Sequence, residues 1–362
     1  MRLAIAGCGI IGDFHAGVAD SFDDLEIAAL VDPVASQREK LAQKWKLDVP
    51  EYDSLGAALA EQDVDIVAVC TPSGYHADVA VEALAAGCHV VIEKPIDVDL
   101  SAAARVRDAA QAAGKVVTVI SQHRFDAGSA ALFAAIKNGK LGTITSGTAS
   151  VPWWRSQAYY DSGDWRGTWK LDGGGAVMNQ GVHTVDLLIW FLGEPVEVFA
   201  WSACLAHERI EVEDVIVATV KFANGALATI HATTAANPGA GVRVSVHGDG
   251  GTATIENDRL TWFVSAVDAK PGERPGNTAD AEVEARSDEA VSAAAVAGWA
   301  ASDPTALGSS HATQYRNFLD AIANGTEPLV TIEQGTKALR VIRGMYASAS
   351  SGQPVKLADL TN

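Results

Sequence analysis

A glycine motif near the N-terminus constrains the fold of this chain more strongly than any other feature. The run GCGIIG places Gly7, Gly9 and Gly12 directly after an apolar stretch and at the start of a helical pattern. In such a unit the first glycine permits a tight turn, the second admits a pyrophosphate, and the third lets helix and strand pack closely. Because backbone N–H groups are unpaired at a helix N-terminus, we expect this turn, with Ile10 and Ile11, to bind a dinucleotide.

An acidic residue at the end of the next apolar stretch supports this interpretation. Asp32 follows Gly12 by about 20 residues, the spacing at which a carboxylate accepts hydrogen bonds from the adenosine ribose. Its charge would repel a 2′-phosphate, so the predicted cofactor is NAD. Arg38 lies little more than a helical turn further on and could bind that phosphate, so NADP stays possible.

Strand-like and helical patterns alternate through residues 1–122. The apolar stretches carry β-branched residues at successive positions, as parallel strands that are covered on both faces do. They lie at 3–7, 27–32, 64–72, 89–95 and 116–121. Helical patterns lie near 11–20, 34–45, 54–61, 75–86 and 99–113. This alternation predicts a doubly wound parallel sheet, that is, an α/β domain of the Rossmann type.

The pattern changes beyond residue 122. Strand-like runs now follow one another through tight turns such as FANGAL (222–227), which is typical of antiparallel or mixed sheets. We therefore predict a second, α+β domain over residues 123–362. A segment at 265–310, rich in small, acidic and turn-forming residues, is predicted to be a long loop. Two helices, near 311–324 and 333–351, follow it.

Charge and composition restrict the partners and the compartment. The net charge of −18 at pH 7 argues against nucleic acid and anionic membrane surfaces as partners. No apolar run approaches the roughly 20 residues that a membrane helix needs, and a strand-like run stands where a signal peptide would be. The four cysteines show no paired spacing, so we expect reduced thiols and a cytoplasmic location.

Further candidate residues follow the strands of the first domain, at the edge where ligands bind in such sheets. A lysine directly after an apolar strand is unusual for a solvated side chain. Lys94 could polarise a carbonyl or ease the loss of a hydroxyl proton, or it could simply pair with Glu93. The candidate cofactor contacts at this edge are Thr71, Pro72, His76, Glu93, Lys94 and Gln122.

A glycine run at 173–175 precedes a helical pattern at 175–192. This helix would carry Asn179, His183 and Asp186 on one face, which we expect to line a cleft. Asp186 could hold the His183 imidazole, and the glycines would leave clearance for substrate and nicotinamide. An adjacent apolar stripe would dock the helix on the core: Met178, Val182, Val185, Ile189 and Leu192.

An aromatic-rich segment at 152–172 precedes that helix. Flat rings stack well on the C–H faces of sugars, so Trp153, Tyr160, Trp165 and the adjacent Arg166 are candidate substrate contacts. The alternative is a hydrophobic subunit contact. Acidic and basic residues balance within the segment, which favours a neutral sugar or polyol over a phosphorylated one.

One further arginine lies after the last strand of the first domain. Arg124, in the run QHRF (122–125), could bridge the two domains or contact the substrate.

Together these motifs resemble the Gfo/Idh/MocA oxidoreductases, the family of glucose–fructose oxidoreductase and inositol dehydrogenase. The similarity rests on GCGIIG, TPSGYH, EKP, QHRF and GGGAVMNQGVHTVDLLIWFLG, and it covers nearly the whole chain. It implies a Rossmann domain followed by an open-faced, mostly antiparallel mixed sheet. It also implies hydride transfer between NAD(P) and a hydroxyl group of a sugar, cyclitol or derivative. A homodimer or homotetramer formed through the second sheet is expected as well.

The resemblance assigns roles to three positions. Lys94 matches the lysine of the EKP motif, near the reacting hydroxyl, and His183 matches the histidine usually described as the acid/base. Asn179 falls where many members carry aspartate, and an amide can orient a hydroxyl group but cannot take up a proton. We therefore expect Lys94 and His183 to be catalytic and Asn179 to bind substrate, and we predict no metal ligand.

Three alternatives stay open. A nucleotide-linked uronic acid as substrate would suit Asn179, and some relatives cleave glycosides with the help of bound NAD. A non-catalytic sensor would bind NAD without turnover. A panel of free sugars, nucleotide sugars and aryl glycosides would distinguish these functions.

Overall fold

The computed structural model describes residues 1–267 and 309–360, which form two sheets flanked by helices. The loop predicted at 265–310 falls, from 268 to 308, outside the described residues. The strands of the first sheet are β1 Arg2–Ala6, β2 Glu26–Val31, β3 Glu51–Tyr52, β4 Ile66–Val69, β5 His89–Ile92 and β6 Val117–Val119. The helices around it are Ile10–Asp20, Ala35–Trp45, Leu55–Glu61, His76–Ala85 and Leu100–Ala113. Within the two described ranges, no helix is long and apolar enough to cross a membrane.

The strand order of the first sheet confirms the doubly wound topology. The order is β3-β2-β1-β4-β5-β6, and every neighbouring pair is parallel. This order is that of dinucleotide-binding sheets, in which a crevice opens between β1 and β4 at the carboxyl edge. The central strands are fully buried, as their continuous apolar sequence requires. β3 has only two residues, too few to give a strand-like pattern, so the sequence analysis did not predict it.

The second sheet has eight strands in the order β13-β12-β11-β7-β10-β9-β8-β14. Their ranges are β7 Ile144–Pro152, β8 Pro195–Ala203, β9 Val215–Phe222, β10 Leu227–Thr233, β11 Arg243–Gly248, β12 Gly251–Glu256, β13 Arg259–Ser265 and β14 Val355–Lys356. Neighbours pair antiparallel except β7 with β10, which confirms the mostly antiparallel mixed sheet. Burial alternates along β9, so one face packs on the core and the other is exposed.

The helix predicted at 175–192 consists of two different turns. Residues Ala176–Gly181 form a π-helical turn, and an α-helix continues over Val182–Leu192. Such wider turns are rare in proteins, and those that occur are often found at functional sites, because they change the direction of the side chains around them. The predicted apolar stripe is buried as expected: Met178, Val182, Val185, Ile189 and Leu192.

Two helices, Ser309–Asn324 and Ile332–Ser351, lie close to their predicted positions. The first places Tyr315 and Phe318 in the apolar core that β1 and β2 share. The second contacts β6 of the first sheet and β8 of the second. These helices therefore pack on both sheets, and the domain division at residue 122 stays a prediction.

A buried ion pair joins the chain after β6 to the central helix. Arg124 donates hydrogen bonds from Nε and Nη2 to the carboxylate of Asp186, at 2.7 and 2.6 Å, and both side chains are buried. Both residues lie in the predicted second domain (123–362), so this pair does not bridge the predicted domains. The buried Arg124 side chain is engaged by Asp186, which argues against the predicted substrate contact. The expectation that Asp186 holds the His183 imidazole was wrong, because Arg124 occupies both carboxylate oxygens.

Removing one partner of this pair is expected to destabilise the protein. The substitution Asp186→Ala leaves the Arg124 guanidinium buried without a counter-charge, at a cost of about 3–5 kcal/mol. Urea unfolding followed by circular dichroism measures the loss. Asp78→Ala is the control, because its pair with Arg105 is exposed and is expected to contribute at most about 1 kcal/mol. Equal losses in the two variants would contradict this assignment.

Candidate active site

The three glycines after β1 have different tasks. Gly7 has a φ of +102°, and a Cβ there would lie 2.6 Å from the carbonyl carbon of Cys70. A Cβ on Gly12 would lie 1.9 Å from the Gly7 carbonyl oxygen, so strand and helix pack too closely for a side chain. A Cβ on Gly9 would meet no described atom within 4 Å. Open space therefore lies at the second glycine, where a phosphate was predicted to approach.

The N-terminus of helix Ile10–Asp20 has the features of an anion site. Gly9 precedes the helix and supplies no side chain that caps its N–H groups. Ile10 and Ile11 are large apolar residues that are 78% and 42% exposed. Uncapped N–H groups next to an exposed apolar surface suit a ligand that carries both phosphate and flat rings.

Asp32 is held rigidly at the end of β2. Its carboxylate accepts hydrogen bonds from the N–H groups of Cys8 and Val34, at 2.9 and 2.8 Å. Arg38 donates to the Asp32 backbone carbonyl and pairs with Glu51 at 3.4 Å, so its charge is already engaged. A 2′-phosphate would meet two carboxylates here, which favours NAD over NADP.

Two buried oxygen atoms at the carboxyl edge of the first sheet lack a hydrogen-bond partner among the described residues. They are Thr71 Oγ1 and Gln122 Oε1, both at predicted cofactor contacts. Because buried polar atoms are nearly always hydrogen-bonded, these two point to a polar ligand. Thr71 and the adjacent Pro72 are half-buried. The residues at this edge therefore fit a bound dinucleotide.

The side chains of two predicted cofactor contacts, His76 and Glu93, form hydrogen bonds inside the protein. The ring nitrogens of His76 bond to backbone carbonyls of two different strand-end loops, at 2.7 and 2.8 Å. The buried carboxylate of Glu93 bonds to His15 Nε2 at 2.9 Å and to the N–H of Lys94 at 3.0 Å. Both side chains tie the edge of the sheet together, and neither is free for the cofactor.

Lys94 extends from the end of β5 to the central helix. Its Nζ donates a hydrogen bond to the backbone carbonyl of Asn179 at 3.1 Å. Burial lowers the pKa of Lys94, and the charges of Arg166 and Arg155 lower it further, although nearby carboxylates, including Asp172, oppose the shift. A poorly solvated cation of this kind stabilises a developing negative charge strongly.

His183 lies half-buried in the first turn of the α-helix that follows the π-helical turn. Burial lowers the pKa of its imidazole well below 6.5, and the charges of Lys94 and His123 lower it further. The ring is therefore neutral at pH 7 and can accept a proton. The imidazole of His123 meets it edge to face, with 5.1 Å between ring centroids.

His123 is a neighbour of the site that the sequence did not single out. Its Nδ1 lies 2.7 Å from the carboxylate of Asp126 and 3.1 Å from that of Asp258. Burial acts to lower the pKa of His123, but the two carboxylates raise it overall. The ligand atoms of the three residues lie within 4.8 Å of one another, close enough for a metal ion. The raised pKa favours a protonated ring between the carboxylates.

The glycine run at 173–175 packs against protein atoms, so the predicted clearance for substrate was wrong. A Cβ on the first glycine would lie 2.5 Å from the Val98 side chain. A Cβ on the second would lie 2.0 Å from the Tyr346 hydroxyl, and one on the third 1.8 Å from the Glu213 carbonyl oxygen. The run therefore lets the start of the central helix lie against its neighbours.

Glu213 binds the start of that helix. Its carboxylate accepts hydrogen bonds from the N–H groups of Gly175 and Val177, both at 3.0 Å, and from the Tyr346 hydroxyl at 3.1 Å. These N–H groups have no intrahelical partner, and a carboxylate at a helix N-terminus satisfies them. Burial raises the pKa of Glu213 to about 7. No sequence signal identified Glu213, which lies 38 residues from Gly175.

Asn179 lies next to a carboxylate, that of Asp172, seven residues earlier in the chain. Asn179 Nδ2 donates to one oxygen of Asp172 at 2.5 Å, and the N–H of Gly167 donates to the other at 2.8 Å. Asp172 is buried, which raises the pKa of its carboxyl group. Its charge also acts on Lys94. Its position directly before the glycine run is the signal that could have identified it.

The aromatic segment offers fewer substrate contacts than predicted. Tyr160 is buried and its hydroxyl hydrogen-bonds to Thr234 Oγ1 at 2.8 Å, so it belongs to the core. Trp153 is half-buried and packs against the core. Trp165 and Arg166 stack on each other at 4.5 Å, are half-buried, and stay candidate substrate residues.

Comparison with known proteins agrees with this geometry. Residues 1–121 match the family model for the NAD-binding Rossmann fold of an oxidoreductase family, and residues 134–357 match that for its C-terminal alpha/beta domain. D-Glucoside 3-dehydrogenase of Escherichia coli (strain K12) is 30% identical over 259 residues, which are 66% of this chain and 71% of that protein. Inositol 2-dehydrogenase of Rhizobium meliloti (strain 1021) is 31% identical over 279 residues, 72% and 76% of the two chains.

A solved structure shares the whole architecture. The WlbA dehydrogenase from Bordetella pertussis, in complex with NADH and UDP-GlcNAcA, aligns with a TM-score of 0.83 and 30% identity. The alignment covers 98% of this chain and 97% of that one. With both domains matched, the chain belongs to the Gfo/Idh/MocA family of NAD-binding oxidoreductases, as its motifs predicted.

Proposed function

We propose that this protein transfers a hydride between NAD and a hydroxyl or keto group of a sugar, sugar derivative or cyclitol. The observation that carries the proposal is the position of Lys94 beside the helix that carries His183: its ammonium bonds to the Asn179 carbonyl, and its charge acts on the His183 imidazole. The similar proteins support this substrate class. They are named for D-glucosides and inositol, and one is solved with UDP-GlcNAcA.

NAD would bind along the carboxyl edge of the first sheet. The helix N-terminus at Gly9 would bind the pyrophosphate, and Asp32 would bind the adenosine ribose. Thr71 and Gln122 would give their buried oxygens to the ligand. When bound, NAD accepts the hydride from the substrate carbon or returns it.

His183 would transfer the proton, while Lys94 and Asn179 would bind the reacting hydroxyl group. In the oxidative direction the neutral His183 takes the hydroxyl proton, and the Lys94 ammonium stabilises the alkoxide that forms. Asn179 orients the hydroxyl group, because Asp172 occupies only one of its two amide hydrogens. In the reductive direction the same proton returns from His183 to the oxygen.

Substitution of either catalytic residue is expected to abolish most turnover. With a substrate from the sugar panel, Lys94→Met and His183→Asn should each lower kcat/KM about 10²- to 10⁴-fold, since each removes one proton-handling or charge-stabilising group. Absorbance of the reduced nicotinamide measures turnover, and fluorescence titration should show NAD affinity changed only a few-fold. Lys170→Met, an exposed lysine of the aromatic segment, is the control. Near-normal turnover in both variants would refute the proposal.

The pH dependence of oxidation should reflect the low pKa of His183. The base must be neutral, so kcat/KM falls as the pH drops through its pKa, and that acid-side inflection should lie below pH 6.5. Lys94 must be protonated, so the alkaline inflection should lie below 10.5. A pH profile of kcat/KM measures both. An acid-side inflection at pH 7 or above that disappears in His183→Asn would contradict the assignment.

The proposal includes a reducing, cytoplasmic compartment. The four cysteines, Cys8, Cys70, Cys88 and Cys204, are free thiols, as proteins of the cytoplasm usually keep them.

We also propose a homodimer or homotetramer formed through the second sheet. The exposed face of this sheet carries large apolar side chains, and large apolar patches on a protein surface mark interaction sites. Trp201 and Val217 lie directly opposite each other on β8 and β9, and Trp201 is 68% exposed. Leu227, on the neighbouring β10, is also exposed.

Charges on this face should reduce the size of the assembly. The double variant Trp201→Lys/Leu227→Glu is expected to convert the oligomer to a smaller species, because charged side chains would have to be buried without partners. Light scattering coupled to size-exclusion chromatography measures the mass. Val34→Lys, at an exposed apolar residue of the first domain, is the control. A monomeric unsubstituted protein at micromolar concentration would refute the proposed oligomer.

A further inference from the structure

Two arginine side chains of the aromatic segment lie beside the catalytic lysine. Arg155 and Arg166 are both half-buried, and the charges of both act on the Lys94 ammonium. Their position places them on the substrate side of the cleft, together with Asn179 and its neighbour Gln180. Arg155 bonds to Gln180, whose neighbour Asn179 accepts a hydrogen bond from Lys94, so the three cations lie in the same region of the protein.

Aromatic rings hold both guanidinium groups in place. Tyr159 lies between them, with its ring centroid 5.1 Å from the Arg155 guanidinium carbon and 4.4 Å from that of Arg166. A tryptophan also lies close to each guanidinium. The Trp153 ring centroid is 5.0 Å from the guanidinium carbon of Arg155, and the Trp165 ring centroid is 4.5 Å from that of Arg166. Stacking uses the flat face of a guanidinium and leaves the N–H groups along its edge available.

The polar partners of these two groups are neutral. Arg155 Nη2 donates to Gln180 Oε1 at 2.7 Å, and Arg166 Nη1 donates to the Tyr159 hydroxyl at 2.7 Å. Arg155 Nε is buried and has no hydrogen-bond partner among the residues described. Each guanidinium has five N–H donors, so most remain to be used. A buried donor on a charged group without a partner is costly and points to a ligand oxygen.

The acidic residues of the segment offset these charges only in part. The charge of Arg166 acts to lower the pKa of the Asp172 carboxyl group, but burial raises that pKa overall. Asp161 pairs with Arg209 at 2.8 Å on the surface. Asp172 faces the site, but its oxygens accept hydrogen bonds from Asn179 and Gly167. No carboxylate in the described parts of the chain forms an ion pair with Arg155 or Arg166. The local neutrality inferred from the sequence therefore does not hold in the folded site.

We propose that Arg155 and Arg166 bind an anionic group carried by the substrate, so that the natural substrate is an acidic sugar derivative. This assignment rests on the proposed function, since it concerns the same site. The anionic group is a carboxylate or a phosphate, because a guanidinium edge matches the oxygens of both. A neutral sugar, which the sequence favoured, would leave the two charges unpaired.

Matched pairs of substrates test this inference. Glucose is compared with glucuronate and with glucose 6-phosphate, each with the NAD-loaded protein. Acidic members are expected to give at least about a 10-fold higher kcat/KM than their neutral partners, as loss of a charged hydrogen bond would imply. Glucuronate and glucose 6-phosphate distinguish a carboxylate from a phosphate site.

Charge-removing variants locate the effect. Arg155→Gln and Arg166→Gln should raise KM for the acidic substrate about 10- to 100-fold with little change in kcat, and should raise KM for the neutral partner much less, so that the preference for the acidic substrate is lost. Arg209→Gln, an exposed arginine outside the site, is the matched control. Thermal unfolding of each variant checks that it folds. Equal losses on acidic and neutral substrates, or no preference in the unsubstituted protein, would overturn the inference.

Calorimetry keeps this test separate from the proposed function. If no sugar of either kind reduces NAD, the proposed redox function fails. The inference still stands if glucuronate or glucose 6-phosphate binds the NAD-loaded protein more tightly than glucose and if both arginine variants lose that difference. Absence of any such difference overturns it.

Discussion

The buried ion pair between Arg124 and Asp186 is the interaction on which the geometry of the site depends. It joins the end of the first sheet to helix Val182–Leu192, and its two hydrogen bonds fix an orientation as well as a distance. Because the same helix carries His183, the pair fixes the position of this imidazole relative to the chain that follows β6. Lys94, at the end of β5, also binds the start of this helix region by donating a hydrogen bond to the Asn179 carbonyl.

Lys94 influences the charge states of both His183 and Asp172. Burial shifts both Lys94 and His183 toward their neutral forms, so the imidazole can accept a proton while the poorly solvated ammonium attracts an alkoxide. Asp172 places a carboxylate next to Asn179, whose amide donates a hydrogen bond to it, and its charge acts on Lys94.

Periodicity predicted nearly every described helix and strand, because apolar patterns report local burial. It missed β3 and β14, which have two residues each, and it could not distinguish the π-helical turn from an α-helix. The sequence placed the glycine motif, Asp32 and Lys94 at the carboxyl edge of the first sheet and His183 on the central helix, where the structure has them, and their roles stay predictions. It could not show that Glu93 and Arg124 face inward, because their partners lie 78 and 62 residues away and leave no local pattern.

By itself, the sequence determined the two folds and the chemical character of the site. Glycine conformations, apolar periodicity and the order of elements are properties of short stretches of chain. Only the tertiary structure decided which polar groups face the cleft. A buried polar group is stable only with a partner, and the position of that partner exists only once distant segments have met. For this reason the side chains of Glu93 and Tyr160 are buried. Asp172 and Arg155, which the sequence analysis counted only in the charge balance of the aromatic segment, lie near enough to Lys94 to act on its charge.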